Sequence, residues 1–235
     1  MSTPDTRPGS PLSAPGRRDL WITVAALVVV LAWDLSGLDL TVSSWYGNSA
    51  GFALRDAWWT SRLVHDGGRL VAALVLLAML VDAARPMLLP PPRGPERSRR
   101  WLWIAATLVC LLLIPGIKRI SATSCPWDLS LFGGVAQHLS HWRWGVPDGA
   151  GGHCFPSGHA VAAFAFFSLH FLWRAHRPAL ARAALLAVLL VGALFGWVQM
   201  VRGAHFISHT LWSAWLCWLV CVTWAAGLRQ LSPTP

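Results

Sequence analysis

Three short stretches of an otherwise apolar chain hold residues whose types and spacing could do chemistry. The first is Gly151-Gly152-His153-Cys154-Phe155-Pro156-Ser157-Gly158-His159, at the head of a long apolar run. A helix starting there offers unpaired backbone N–H groups and the positive end of a dipole, so it can hold an anion. Gly151, Gly152 and Gly158 let backbone come close to a ligand. Ser157 adds a hydroxyl donor, and His159 adds a group that gains or loses a proton near neutral pH. The second stretch is Lys118, followed after six residues by Cys125-Pro126; the third is Arg202-Gly203-Ala204-His205-Phe206-Ile207-Ser208-His209. Taken alone, the first stretch reads equally well as a glycine-rich turn capping a membrane helix.

The elements that must position these residues are membrane spans. Of 235 residues, 55% are hydrophobic and only 12% charged, and the apolar residues come in blocks, which excludes an ordinary soluble domain. The net charge of +9 would suggest nucleic acid in a soluble protein, but the charges are mostly arginines in short loops between the blocks. There is no basic helix face or zinc-finger spacing, so no nucleic-acid partner is expected. Residues 1–19 are rich in Pro, Ser and Arg and read as a disordered cytoplasmic tail. Residues 20–228 read as one domain of six spans, and residues 229–235 as a second cytoplasmic tail. The first span runs from Leu20 past Asp34; a signal peptide is the weaker reading, because no small-residue cleavage site follows closely. Residues 35–68 interleave aromatics with charges and suit a segment lying at the interface over the site, or a plain connecting loop. Further spans are expected at 66–84, 101–117, 155–173, 183–201 and 206–228, and Asp66 and Arg69 lie where long side chains reach headgroups. With the N-terminus inside, twelve basic residues lie on the inner side and seven on the outer. The positive-inside rule then turns all three motif stretches outward, toward the periplasm in a bacterial inner membrane.

The order and spacing of the three stretches resemble the type 2 phosphatidic acid phosphatase family, which includes bacterial lipid phosphatases and is related to the vanadium haloperoxidases. The family pattern is Lys-x6-Arg-Pro, then Pro-Ser-Gly-His, then Ser-Arg-x5-His-x3-Asp. The resemblance spans roughly residues 100–228, with the motif core in 101–228. The second element is intact here. The first keeps Lys118 and Pro126 but has Cys125 for arginine; the third keeps His205 but has Val198-Gln199 for Ser-Arg and His209 for Asp. The resemblance implies an all-α bundle of six transmembrane helices with the catalytic site at the outer interface. It also implies that His205 attacks phosphorus to form a phosphohistidine, that His159 protonates the leaving group, and that no metal or other cofactor is needed. Lys118, Ser157 and Gly158 would bind the phosphate.

The departures need replacements. Arg202, His205 and His209 are spaced three and four apart, so an early start to the last helix would put them on one face. Arg202 is then the favoured substitute for the missing arginine, with Arg119 and Arg143 as others. His209 would have to orient His205, which a neutral imidazole does less well than a carboxylate; Asp128 or Asp148 could take that part instead. Cys125 and Cys154 are the two cysteines of five that lie in polar segments, both on the oxidising side, and a disulfide between them is expected to tie the Lys118 loop to the Pro156–His159 turn. His138, His141 and His153 with these cysteines match no standard zinc spacing.

The expected activity is hydrolysis of a phosphomonoester or diphosphate of a lipid. The partners would be a lipid phosphate substrate and the bilayer itself. The competing expectations are a lipid phosphotransferase, a non-catalytic lipid-binding member of the same fold, and, least favoured, a vanadate-dependent peroxidase.

Overall fold

The computed structural model describes residues 14–87, 90, 91 and 93–230. The chain runs α1 (Ala14–Leu35), α2 (Leu38–Ser43), a two-stranded hairpin of β1 (Gly47–Asn48) and β2 (Gly51–Phe52), and a π-helical stretch Trp59–Asp66 that leads straight into α3 (Gly67–Ala84). It continues with α4 (Arg97–Ile120), two short 3-10 turns at Pro126–Asp128 and Ser130–Phe132, α5 (Val161–Phe164), α6 (Phe167–Trp173), α7 (Pro178–Val201) and α8 (Ile207–Gln230).

Among the described residues, four helices are long and apolar enough to cross a membrane: Trp59–Ala84, Arg97–Ile120, Pro178–Val201 and Ile207–Arg229. The other two expected spans differ in kind. The expected span at 155–173 is broken: residues 155–160 stay outside the helix, and Val161–Trp173 forms α5 and α6. At 1.5 Å per residue such a segment reaches about 20 Å, against the ~30 Å of a hydrocarbon core. It survives because other helices surround it. Phe164, Phe167, Phe171 and Trp173 are buried in the main core with Trp103, Cys110 and Ile114 of α4 and Cys217, Trp218 and Cys221 of α8. Helix α1 begins before the expected first span and takes in residues 14–19 of the expected tail. The rest of that tail, and residues 231–235 of the second, lie outside the described residues.

Helix–helix contact in the bundle relies on small residues that let backbones approach. At Gly196 of α7 a Cβ would stand 2.4 Å from Thr210 Cγ2 of α8, so only glycine permits this crossing. Lys118 in the last turn of α4, His209 in the first turn of α8, Arg69 in the first turn of α3, Arg202 just after α7 and Asp34 at the end of α1 therefore gather at one end. The other end is pinned by charge: Arg174 donates to Asp19 at 2.7 Å, and buried Arg100 pairs with Asp82 and stacks on Trp173.

Candidate functional site

A cavity of about 610 Å3 opens at the end where the helix termini converge. Lys118, Gly158, His159, Arg202 and His205 all line it, together with Arg69 and Gln199. Each arrives by a different route. Lys118 leaves α4 one turn before the chain becomes extended at Ser121, and its side chain runs along the bare Cα of Gly158. His159 precedes α5 and is buried. The helix that the Pro156–His159 segment feeds is a single turn, so the full helix dipole expected from the sequence is not available there.

Helix α8 does not start early. The chain turns at Gly203, whose φ of +73° glycine adopts without strain and against whose Cα the Phe52 ring packs. Arg202 and His205 thus belong to the turn rather than to a helical face shared with His209. The backbone N–H groups of Ala204 and His205 both donate to the Gln199 carbonyl, at 2.8 and 3.3 Å. Arg202 reaches the cavity, but its Nε donates to the Arg55 carbonyl at 2.8 Å. Arg55 itself covers the Trp127 ring at 4.5 Å. The segment from residue 35 to 68 therefore braces the site turn, through Phe52 and Arg55.

His205 is 4% exposed. Its Nδ1 lies 3.4 Å from His209 Nδ1 and 3.5 Å from Cys154 Sγ, which leaves Nε2 as the nitrogen available to the cavity. Burial pushes His205 well below the ordinary histidine range, and His209, Lys118 and His159 push it the same way, all favouring the neutral ring. Ser157 is fully buried and is not among the residues lining the cavity. Its N–H donates to the His209 carbonyl at 3.1 Å, and its Oγ has no hydrogen-bond partner among the described residues.

Asp128 does not reach His205. Its Oδ2 accepts from the Cys125 N–H and from Trp127 Nε1, closing the short turn after Cys125. Asp148 is equally engaged, accepting from the Ser124 N–H at 2.6 Å and Ser124 Oγ at 2.7 Å. Neither makes a hydrogen bond to His205 or His209 among the described residues.

Cys125 and Cys154 form a disulfide, with Cα atoms 5.1 Å apart. Cys154, His205 and His209 bring possible ligand atoms within 4.8 Å of one another, but a disulfide sulfur is not a thiolate, and two imidazoles alone do not make a metal site. The bond closes a loop with a sequence separation of 29, for which chain entropy predicts about 3.5 kcal/mol of stabilisation. Reduction with a phosphine should therefore lower the thermal midpoint in detergent by roughly 10 °C. Scanning fluorimetry with thiol titration checks this; an unchanged midpoint in fully reduced protein would contradict it.

Gln199 and Arg69 were not among the site residues expected from the sequence. Gln199 could have been found, because it occupies the position of the family arginine. It is 3% exposed, lines the cavity, and its Nε2 has no partner among the described residues, so a neutral donor stands where the pattern has a charged one. A second, smaller cavity of about 90 Å3 lies on the far side of His209 and is lined by Asp34, Asp39, His138 and His141 among others.

Two buried histidines and three cationic side chains surround one cavity, at one end of a helical bundle with helices long and apolar enough to cross a membrane. The chain belongs to the PAP2 superfamily, whose family profile matches residues 99–231. Its fold is similar to the crystal structure of a transmembrane PAP2-type phosphatidylglycerolphosphate phosphatase from Bacillus subtilis. The TM-score is 0.53 at 14% identity, covering 94% of this chain and 98% of that one. A comparison with curated protein sequences gives no significant match.

Proposed function

We propose that the protein is a membrane lipid phosphate phosphatase working through a phosphohistidine on His205. The observation that carries this reading is the amphipathic character of the main cavity. Its polar half holds His205, His159, Lys118 and two arginines; its other half is lined by Ala72, Ala73 and Leu76 of α3 and Leu111 of α4. It shares Ala72, Ala162 and Phe166 with a neighbouring apolar groove of about 170 Å3 between α3, α5 and α7. A phosphate among the cations with a lipid chain along that groove matches both halves.

In this reading Lys118, Gln199 and Arg202 hold the non-bridging oxygens, and Nε2 of His205 attacks phosphorus in line. The P–O bond to the lipid breaks as the N–P bond forms, and His159 gives its proton to the departing oxygen. Water then attacks the phosphohistidine, returns a proton to His159 and releases inorganic phosphate. Basic residues crowd the opposite end of the bundle, which favours a site on the outer face of a bacterial inner membrane, with all six helical segments embedded and both termini inside.

The test is phosphate release by the detergent-purified protein, with EDTA present, from a panel of phosphatidate, phosphatidylglycerol phosphate, polyprenyl diphosphate and lipid A phosphate. Release from at least one lipid supports the reading and narrows the substrate. No release from any, by folded protein that still binds the lipids, overturns it in favour of a phosphotransferase or a lipid-binding protein.

A further inference from the structure

The family pattern places a carboxylate at the position held here by His209, and neither Asp128 nor Asp148 replaces it. The structure nevertheless brings a carboxylate close, from the far end of the sequence. Asp34, at the C-terminal end of α1, has a side chain only 6% exposed, and its Oδ2 lies 3.1 Å from His141 Nε2. The same oxygen accepts from Trp142 Nε1 at 2.7 Å and from Trp212 Nε1 at 3.4 Å. Two indole N–H groups thus hold one oxygen of the carboxylate in place, with the His141 ring nitrogen at ion-pair distance beside it. The His141 ring stacks on Phe155 at 4.0 Å and stands edge-on to His209, with centroids 6.1 Å apart. Asp34, His141 and His209 line one side of the 90 Å3 cavity, which has room for a few waters.

We propose that Asp34, held by the Trp142 and Trp212 indoles beside His141, is the carboxylate that serves the His205 nucleophile, acting through His209 across this cavity. The inference rests on the reading of His205 as the nucleophile. The geometry of His209 supports it. With Nδ1 turned to His205, Nε2 is the one polar atom His209 has left to present to the cavity. If His205 is to attack through Nε2, its proton sits on Nδ1 and is donated to His209 Nδ1. His209 then carries its own proton on Nε2 and donates it, directly or through water, toward Asp34. When the N–P bond forms, the His205 ring becomes cationic. Its Nδ1 proton shifts toward His209, and the fixed negative charge of Asp34 compensates; when water takes the phosphoryl group, the proton returns. Asp39, the other carboxylate on this cavity, is committed elsewhere: its Oδ1 accepts from the Ser208 N–H at the start of α8 and from Trp33 Nε1. His138 also lines the cavity. Asp34 and His141 are positioning residues; neither touches the main cavity.

The test is a double-mutant cycle on the full-length protein, measuring kcat and KM on the best lipid phosphate and, separately, the affinity for inorganic vanadate, a mimic of the phosphoryl transition state that requires no turnover. Asp34→Asn keeps the shape and the indole hydrogen bonds and removes the charge. It should lower kcat by roughly 10- to 100-fold with KM within about threefold, and weaken vanadate by at least about tenfold. His209→Asp puts a carboxylate directly against His205 and is expected to raise kcat. In that background Asp34→Asn should change kcat and vanadate affinity by less than about twofold. If Asp34→Asn has no effect in the parent protein, or costs the same in both backgrounds, the relay is overturned. If Asp34→Asn does not fold, as judged by its thermal midpoint, His141→Gln is read by the same criteria. A parent protein that releases no phosphate from any lipid but binds vanadate would defeat the phosphatase reading, while the vanadate arm still decides on Asp34. A parent protein that does neither defeats both.

Discussion

His205→Ala is expected to abolish phosphate release, by at least about 10^3-fold, while leaving the thermal midpoint within a few degrees. The magnitude follows from what is lost: a nucleophile cannot be replaced by its neighbours, and removing one costs close to the whole chemical advantage of the site. His159 lines the same cavity, but in the proposed mechanism it serves the leaving group and does not replace the nucleophile. The same residue fixes a pH expectation. Burial first, then His209, Lys118 and His159, lowers the His205 pKa well below that of a free imidazole. The reactive neutral form therefore persists as pH falls through 6.5, where a solvent-exposed histidine would be half protonated. The acid limb of kcat/KM should lie below pH 6.5. A residual activity above 1% in His205→Ala would reject the nucleophile assignment, and an acid limb at or above 6.5 would reject the neutral ring.

Lys118→Met should cost about 10^2- to 10^3-fold in kcat/KM, more than Arg202→Gln. Both side chains reach the cavity, and Arg is usually the better phosphate ligand. Here their settings differ. Arg202 is half-committed through Nε to the Arg55 carbonyl, whereas Lys118 is laid along Gly158 beside both histidines. The family pattern has two further arginines at positions held here by Cys125 and Gln199, so fewer cations share the phosphate charge and the loss of one weighs more. Removing a single donor from a preorganised oxyanion site costs about 3–4 kcal/mol in other enzymes. Kinetics on the two variants decide the ranking; an Arg202→Gln loss larger than that of Lys118→Met would reverse it.

Much of this site is legible in the sequence because its parts lie at the ends of apolar blocks. Lys118, His159, Arg202 and His205 each follow or precede such a block, and helices that alternate direction bring those ends together. Placement in polar segments also singles out Cys125 and Cys154 from the three cysteines inside apolar runs. What spacing does not carry is the unwound start of the 155–173 run ahead of α5. The run from Phe155 to Trp173 is apolar enough for a span, and only packing against α4, α7 and α8 decides that its first residues stay unwound. Nor does it carry Asp34. A carboxylate at the end of a hydrophobic run signals function in general, but its partner His141 is more than a hundred residues away, and only the tertiary fold shows that they meet beside His209. Asp128 misled for the opposite reason: it is near Cys125 in sequence and is used up by that local turn.

The alanine- and leucine-lined flank of the main cavity has a kinetic consequence. If the substrate's chain lies along α3 and the apolar groove beside it, the protein meets its substrate by two-dimensional diffusion within the membrane. The quantity that saturates the site is then the mole fraction of lipid phosphate in the surrounding leaflet, not its concentration in the sample. Diluting a fixed amount of substrate with inert detergent or phospholipid should slow the reaction even when the bulk concentration is unchanged, and adding buffer alone should not.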